Sequence, residues 1–192
     1  MPIKIAFELS DADLAYFRKA MREVQSRARK LDEKAIVDAS RRLVAETAKR
    51  KLPDFVRERL GCLEVMIRML DDAEWRIEGK HRARVIDALA YFAEPVDLIP
   101  DQVPGVGFLD DAIMVELVVQ EIRPELDAYE DFCTYRNEQR KRKDVEPEVQ
   151  DQRLAARRRA MFDRIERRRA RRGRHGGALF GMSDRSIKFP RR

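Results

Sequence analysis

Cysteine and histidine are scarce in this chain, which holds two of each among 192 residues. Cys62 and Cys133 are too far apart for a C-x-x-C motif and too few for a disulfide framework, so both are expected as small core residues. His81 has no second histidine near it and no ligand spacing around it, which excludes the usual zinc patterns. Long apolar runs are missing as well. Charge-free stretches such as QVPGVGFL fall far short of the ~20 residues that a bilayer-spanning helix requires. The opening MPIKIAFELS lacks the apolar core and small-residue cleavage site of a secretory signal, so the expected location is cytoplasmic. No alternating run is long enough to suggest a sheet, and no internal repeat is visible. An all-α protein is the reading that remains.

Charge is abundant instead. Ionisable residues make up 40% of the chain and apolar ones 44%, a balance typical of helices whose outward faces are densely charged. The net charge of +6 conceals an asymmetry: residues 153–192 carry 15 Lys and Arg against Asp163, Glu166 and Asp184, a surplus of 12, which leaves residues 1–152 at −6. An acidic body is followed by a basic tail.

Helix signals run through the body. Ser10 and Asp13 form a capping box, with Leu9 placed to staple onto Leu14, ahead of a helix bearing Leu14, Phe17, Met21, Val24, Ala28 and Leu31. Asp32 is suited to cap a second helix carrying Ile36, Ala39, Leu43 and Thr47, which should stop near Leu52 because Pro53 disfavours helix before it. Val56, Leu60, Leu63, Ile67 and Leu70 then repeat at helical spacing. Trp75 reads as a packing residue in a short segment ending near Gly79. Val85, Ile86, Leu89 and Ala90 mark a fourth helix. FLDDAIMVELVVQEI is apolar around most of its circumference, with Glu116 needing a partner or a polar pocket. Pro124 suits the first turn of a last core helix bearing Leu126, Tyr129, Phe132 and Cys133.

Between the fourth and fifth helices lies YFAEPVDLIPDQVPGVGFLDD. Its prolines push Glu94, Ile99 and Val103 out of helical geometry, yet Val96, Leu98, Ile99, Val103 and Val106 are apolar. The segment should therefore fold back on the bundle and bury its own amides, which need acceptors. Asp97 and Asp101 supply them, and Asp110 and Asp111 suit the N-terminal turn of the next helix. Alternatively, Asp97, Asp101, Asp110 and Asp111 form a ligand set for a hard divalent cation such as magnesium. A metal-dependent hydrolytic enzyme built on these four would lack any recognisable nucleophile or histidine base. No other cofactor is expected.

The same stretch resembles the hallmark of the YkvA-like family, a bacterial helical domain of unknown function, through Pro95, Asp97, Leu98, Ile99, Pro100, Asp101, Pro104, Gly107, Asp110 and Asp111. The resemblance covers about residues 83–122. It implies a helical hairpin around the motif and, for some members, membrane association through that apolar hairpin; it brings no activity. In this chain Asp110, Asp111 and Glu116 interrupt the apolar segment, against an integral-membrane reading.

The expected organisation is a compact helical bundle over residues 1–143, a basic helical arm over 144–172 that projects from it, and a tail over 173–192 that a partner would have to order. The arm carries Arg157, Arg158, Arg159, Arg164, Arg167, Arg168, Arg169, Arg171 and Arg172 around a narrow apolar stripe of Leu154, Met161, Phe162 and Ile165. Arginine grips phosphates through paired donors and releases their counterions, so the expected partner is a polyanion: an anionic membrane surface, a nucleic acid or an acidic protein. The stripe favours the first and last of these. A further reading has the acidic body and the basic tail binding each other, as autoinhibition or head-to-tail self-association. The leading reading is a non-enzymatic module, peripheral at the inner face of the membrane or free in the cytoplasm.

Overall fold

The computed structural model describes residues 10–28, 31–49, 54–93, 109–142 and 146–174. These form six helices, α1 (Asp11–Ala28), α2 (Glu33–Thr47), α3 (Asp54–Asp71), α4 (Gly79–Ala90), α5 (Leu109–Arg140) and α6 (Pro147–Arg174), with a 3-10 turn at Tyr91–Ala93 after α4. No strand occurs among the described residues, and the protein is an all-α helical bundle. It divides into two compact units. One comprises residues 1–71 and 77–122; the other joins residues 72–76 to residues 123–192. The division falls at Ile122 and Arg123, inside α5.

In the first unit, local chemistry sets the helix starts. The Ser10 amide donates to Asp13 Oδ2 at 2.9 Å and the Asp13 amide to Ser10 Oγ at 3.2 Å, closing the capping box. Asp32 caps α2 by accepting from the Ala35 amide at 2.6 Å. The end of α2 comes at Thr47, earlier than Pro53 alone implies: the Thr47 hydroxyl donates to the Leu43 carbonyl, and the Lys49 amide turns back to Glu46 in a tightened last turn. α2 packs against α3, α4 and the 3-10 turn, and α1 packs against α4 and that turn.

The core follows the helical spacing. Leu60, Leu63, Met66, Ile67, Met69 and Leu70 of α3 are buried, as are Val85 and Leu89 of α4. Each fully buried aliphatic side chain contributes ~2 kcal/mol, enough in sum to offset chain ordering. Arg82 ties three elements together: its guanidinium donates to Glu33 at the start of α2 and, at 3.1 Å, to the Leu70 carbonyl near the end of α3, where the helix dipole favours a cation. His81 is buried with Arg84 Nη1 3.4 Å from its Nδ1.

α5 differs from expectation in one respect. Pro124 lies within a continuous 32-residue helix and does not open a new one. A proline removes one ladder hydrogen bond, but Ile122 and Leu126 on either side of it are both almost fully buried, and that apolar burial offsets the local loss. Met114, Val115, Leu117, Val118 and Val119 are buried, as the sequence of this helix implies. Glu116 is half-buried and accepts from Gln120 Nε2 at 3.2 Å, one turn along the same helix.

The basic helix also differs. It does not project. Leu154, Met161 and Ile165 of α6 are buried, and its arginines meet the second half of α5 within the second unit. An apolar stripe read as narrow is wide enough to dock because arginines on both of its edges find carboxylates.

Candidate functional site

The second unit is built around the five residues that follow α3. Asp72 Oδ1 accepts from the amides of Glu74 and Trp75, each at 3.0 Å, which folds Asp72–Arg76 into a tight turn. Arg76 sits in the left-handed region at φ 46°, held there by its own amide donating to the Asp72 carbonyl at 3.0 Å. Gly79, at φ 55°, takes a similar backbone where a side chain would be strained. The turn delivers Trp75 into the unit. Its ring is fully buried against Phe132 (5.1 Å between centroids), Tyr129 (5.6 Å) and Phe162 of α6 (4.7 Å).

Beside the tryptophan lies a part-buried polar network. Tyr129 donates its hydroxyl to Asp72 Oδ2 at 2.9 Å. Arg136 Nη1 meets Asp72 Oδ1 at 2.9 Å, Asp72 Oδ2 at 2.7 Å and Glu74 Oε2 at 2.8 Å, and Arg140 reaches the same Glu74 oxygen at 2.8 Å. Burial would raise the Asp72 carboxyl, but hydrogen bonds from the Trp75 amide, Arg136 and Tyr129 outweigh it and hold it below the usual carboxylate range. The Tyr129 phenol is pushed up, by burial first and then by Cys133 and Asp72. For Arg136, burial works against the charge while Asp72 restores it, and the guanidinium is held more firmly protonated than usual.

α6 then pairs with the second half of α5 in reverse order. Arg169 grips Glu125 through two bonds, Nε to Oε1 at 2.8 Å and Nη2 to Oε2 at 2.6 Å. Arg168 meets Asp127 at 2.7 Å and Arg164 meets Asp131 at 2.5 Å. Arg157 lies over the Tyr135 ring at 5.2 Å, and Arg153 reaches Gln139 at 3.4 Å. Positions rise along α5 as they fall along α6, so the two segments form an antiparallel hairpin clasped by arginine. Arg158 closes it onto the turn by donating to the Glu74 carbonyl at 2.8 Å. Glu130, on the same acidic stretch, is pushed up by burial and then by its neighbours Asp127 and Asp131.

The arginines singled out from sequence thus separate into two sets. Arg157, Arg158, Arg164, Arg168 and Arg169 face inward onto the second unit. Arg159 and Arg167 are exposed on the side of α6 away from its buried stripe, Arg171 is exposed near the edge that carries Arg164, and the backbone of Arg172 continues that helix. Sequence reasoning missed Asp72, Glu74, Tyr129 and Arg136; their separation in the chain hides the network. The acids of α5 carried a visible signal in Glu125, Asp127 and Asp131, whose order mirrors Arg169, Arg168 and Arg164. Pro95, Asp97, Pro100, Asp101, Pro104 and Gly107 lie outside the described residues, and Asp110 and Asp111 are placed only as backbone in the first turn of α5. Among the described residues no group of three or more His, Cys, Asp or Glu could hold a metal ion. No described helix is long and apolar enough to cross a membrane.

Fold and site together define an all-α protein whose second unit is held by packing and ion pairing around a helical hairpin. Residues 82–117 match the family described as "Protein of unknown function (DUF1232)". The chain is also 44% identical over 83 residues to the "Uncharacterized membrane protein YkvA" of Bacillus subtilis (strain 168), covering 38% of this chain and 76% of that relative. It belongs to this YkvA-like family of unknown function. No solved structure matches it.

Proposed function

We propose that the protein is a non-enzymatic helical module that docks peripherally on an anionic membrane surface, led by the outer side of α6. The observation that carries this reading is the sorting of the α6 arginines. Five are spent on the second unit, while Arg159 and Arg167 are exposed on the side of the helix away from the buried stripe, followed in sequence by Arg172, Arg174, Arg185, Lys188, Arg191 and Arg192. A cluster of basic residues near anionic lipid gains ~1 kcal/mol each, so such a surface is the chemistry this side of the chain fits. The relative from Bacillus subtilis bears the name of a membrane protein, and no described helix of this chain is able to span a bilayer, which favours attachment over insertion.

Cosedimentation with vesicles of phosphatidylcholine, with and without phosphatidylserine, tests the reading. Binding should require phosphatidylserine, weaken steeply with salt, and fall ~tenfold or more for Arg159→Glu with Arg167→Glu. Equal binding to neutral vesicles, or an unchanged double variant, would sink it. Binding to nucleic acid or to an acidic protein in preference to vesicles would move the partner to that class of polyanion.

A further inference from the structure

The inner side of α6 has a composition that suits two different environments. Its centre is apolar: Leu154, Met161 and Ile165 are buried, and Phe162 stacks on Trp75 at 4.7 Å. Arg164 and Arg168 border that stripe on one edge and Arg169 on the other, each on a carboxylate of α5. An apolar stripe edged by arginine is also what lies flat in a bilayer interface, with its apolar side chains among the acyl chains and its guanidinium groups on lipid phosphates. In the hairpin, that lipid-compatible side is covered.

We infer that the docking of α6 on the second half of α5 is an autoinhibitory latch that anionic lipid opens, a step that rests on the membrane-docking reading above. In the closed state only the outer arginines meet the membrane. In the open state α6 exchanges Glu125, Asp127 and Asp131 for lipid phosphates, its apolar stripe enters the interface, and Phe162 leaves Trp75. A ligand shifts an equilibrium only through contacts that differ between the two states. Arg159 and Arg167 meet lipid in both and therefore recruit without opening. Leu154, Met161, Phe162, Ile165, Arg164, Arg168 and Arg169 meet lipid only in the open state, so the opening force resides in them. The closed state is held by the buried apolar stripe together with ion pairs, and the Arg164 and Arg168 pairs among these are partly exposed and therefore sensitive to a competing anion.

Trp75 reports directly on the latch because it is the chain's single tryptophan and α6 covers it. The full chain is titrated with phosphatidylserine-containing vesicles while the bound fraction and the acrylamide quenching of Trp75 are read together. Quenching should rise several-fold, with a red-shifted emission, as the protein binds. Binding with Trp75 still shielded overturns the latch and leaves surface docking standing; failure to bind overturns both. Asp127→Asn with Asp131→Asn weakens the α5 side of the latch without touching α6. It should reach half-opening at roughly three- to tenfold less lipid than Asp11→Asn with Asp54→Asn, a control with the same change in net charge. Equal opening of the two double variants would also overturn the latch.

Discussion

Arg136 donates from a single nitrogen, Nη1, to both carboxylate oxygens of Asp72, at 2.9 and 2.7 Å, across 64 residues of sequence. Asp72 in turn organises the amides of Glu74 and Trp75, so one carboxylate fixes both the turn and its distance from α5. The Asp72 side chain is only 9% exposed and that of Arg136 14%, which takes this pair out of the class of screened surface bridges. Asp72→Ala should therefore cost about 3 kcal/mol in denaturant unfolding, because it strands the Tyr129 hydroxyl and two turn amides as well as weakening the hold on Arg136. A cost within about 0.5 kcal/mol would show that Glu74 alone is able to hold Arg136.

The pH dependence follows from the same carboxylate. Its folded pKa lies below the ordinary value of 3.8, so the unfolded chain takes up the proton first as pH falls. The stabilisation is complete above the ordinary value and is lost as pH drops from there through the lowered folded value. Melts of the wild type and Asp72→Asn should differ at neutral pH and converge in acid. A difference that persisted unchanged at low pH would assign the loss to packing and not to charge.

Local signals were the legible part of this fold. The capping box at Ser10 and Asp13, the cap at Asp32 and the spacing of Leu60, Leu63, Ile67 and Leu70 all depend on residues a turn or two apart, and each is found where the sequence implies it. Pro124 was ambiguous because proline fits both the first turn of a helix and a helix whose two sides are held by burial. The hairpin was harder to read. Arg168 and Asp127 are 41 residues apart, Arg169 and Glu125 are 44 apart, and the register between them is set only when Trp75, inserted from a third segment, supplies the apolar seat for Phe162. The motif aspartates Asp97 and Asp101 lie outside the described residues, so the cation reading rests where the sequence left it.

Trp75 is the apolar counterpart of the Asp72 network, and its burial is complete. Trp75→Ala should cost about 3–5 kcal/mol, whereas Phe162→Leu, which keeps much of the apolar volume at one wall of the site, should cost about 1 kcal/mol. Chemical denaturation of both variants checks the ranking. Equal costs would mean that α6 contributes as much to seating the tryptophan as the turn and α5 do.

Arg41 and Asp71 give a contrasting pair. Arg41 Nη2 meets Asp71 Oδ2 at 2.6 Å, with side chains 47% and 55% exposed, and the Asp71 hydrogen bond raises the Arg41 pKa. Short geometry at an exposed site is still screened by water and salt. Asp71→Asn should change stability by no more than about 0.5 kcal/mol, one residue from a position where removal is severe. Thermal melts at low and high salt measure the difference, and a large loss at Asp71 would place that pair in the core network instead.

The Glu125–Arg169 pair is asymmetric, and the asymmetry predicts an ordering of variants. The Glu125 side chain is fully buried, while that of Arg169 is 25% exposed and able to turn its guanidinium towards water. Removing Arg169 therefore takes a bidentate partner from a buried carboxylate, whereas Glu125→Gln leaves a neutral group of the same shape beside a cation that is already partly hydrated. Arg169→Met should cost about 3 kcal/mol and Glu125→Gln about half of that. Glu125→Leu combined with Arg169→Met should recover much of the larger loss, since a buried ion pair replaced by apolar groups of similar volume is often close to neutral. If the double variant is instead as unstable as the sum of its parts, the pair acts through separate contacts of each side chain and not through their mutual bond.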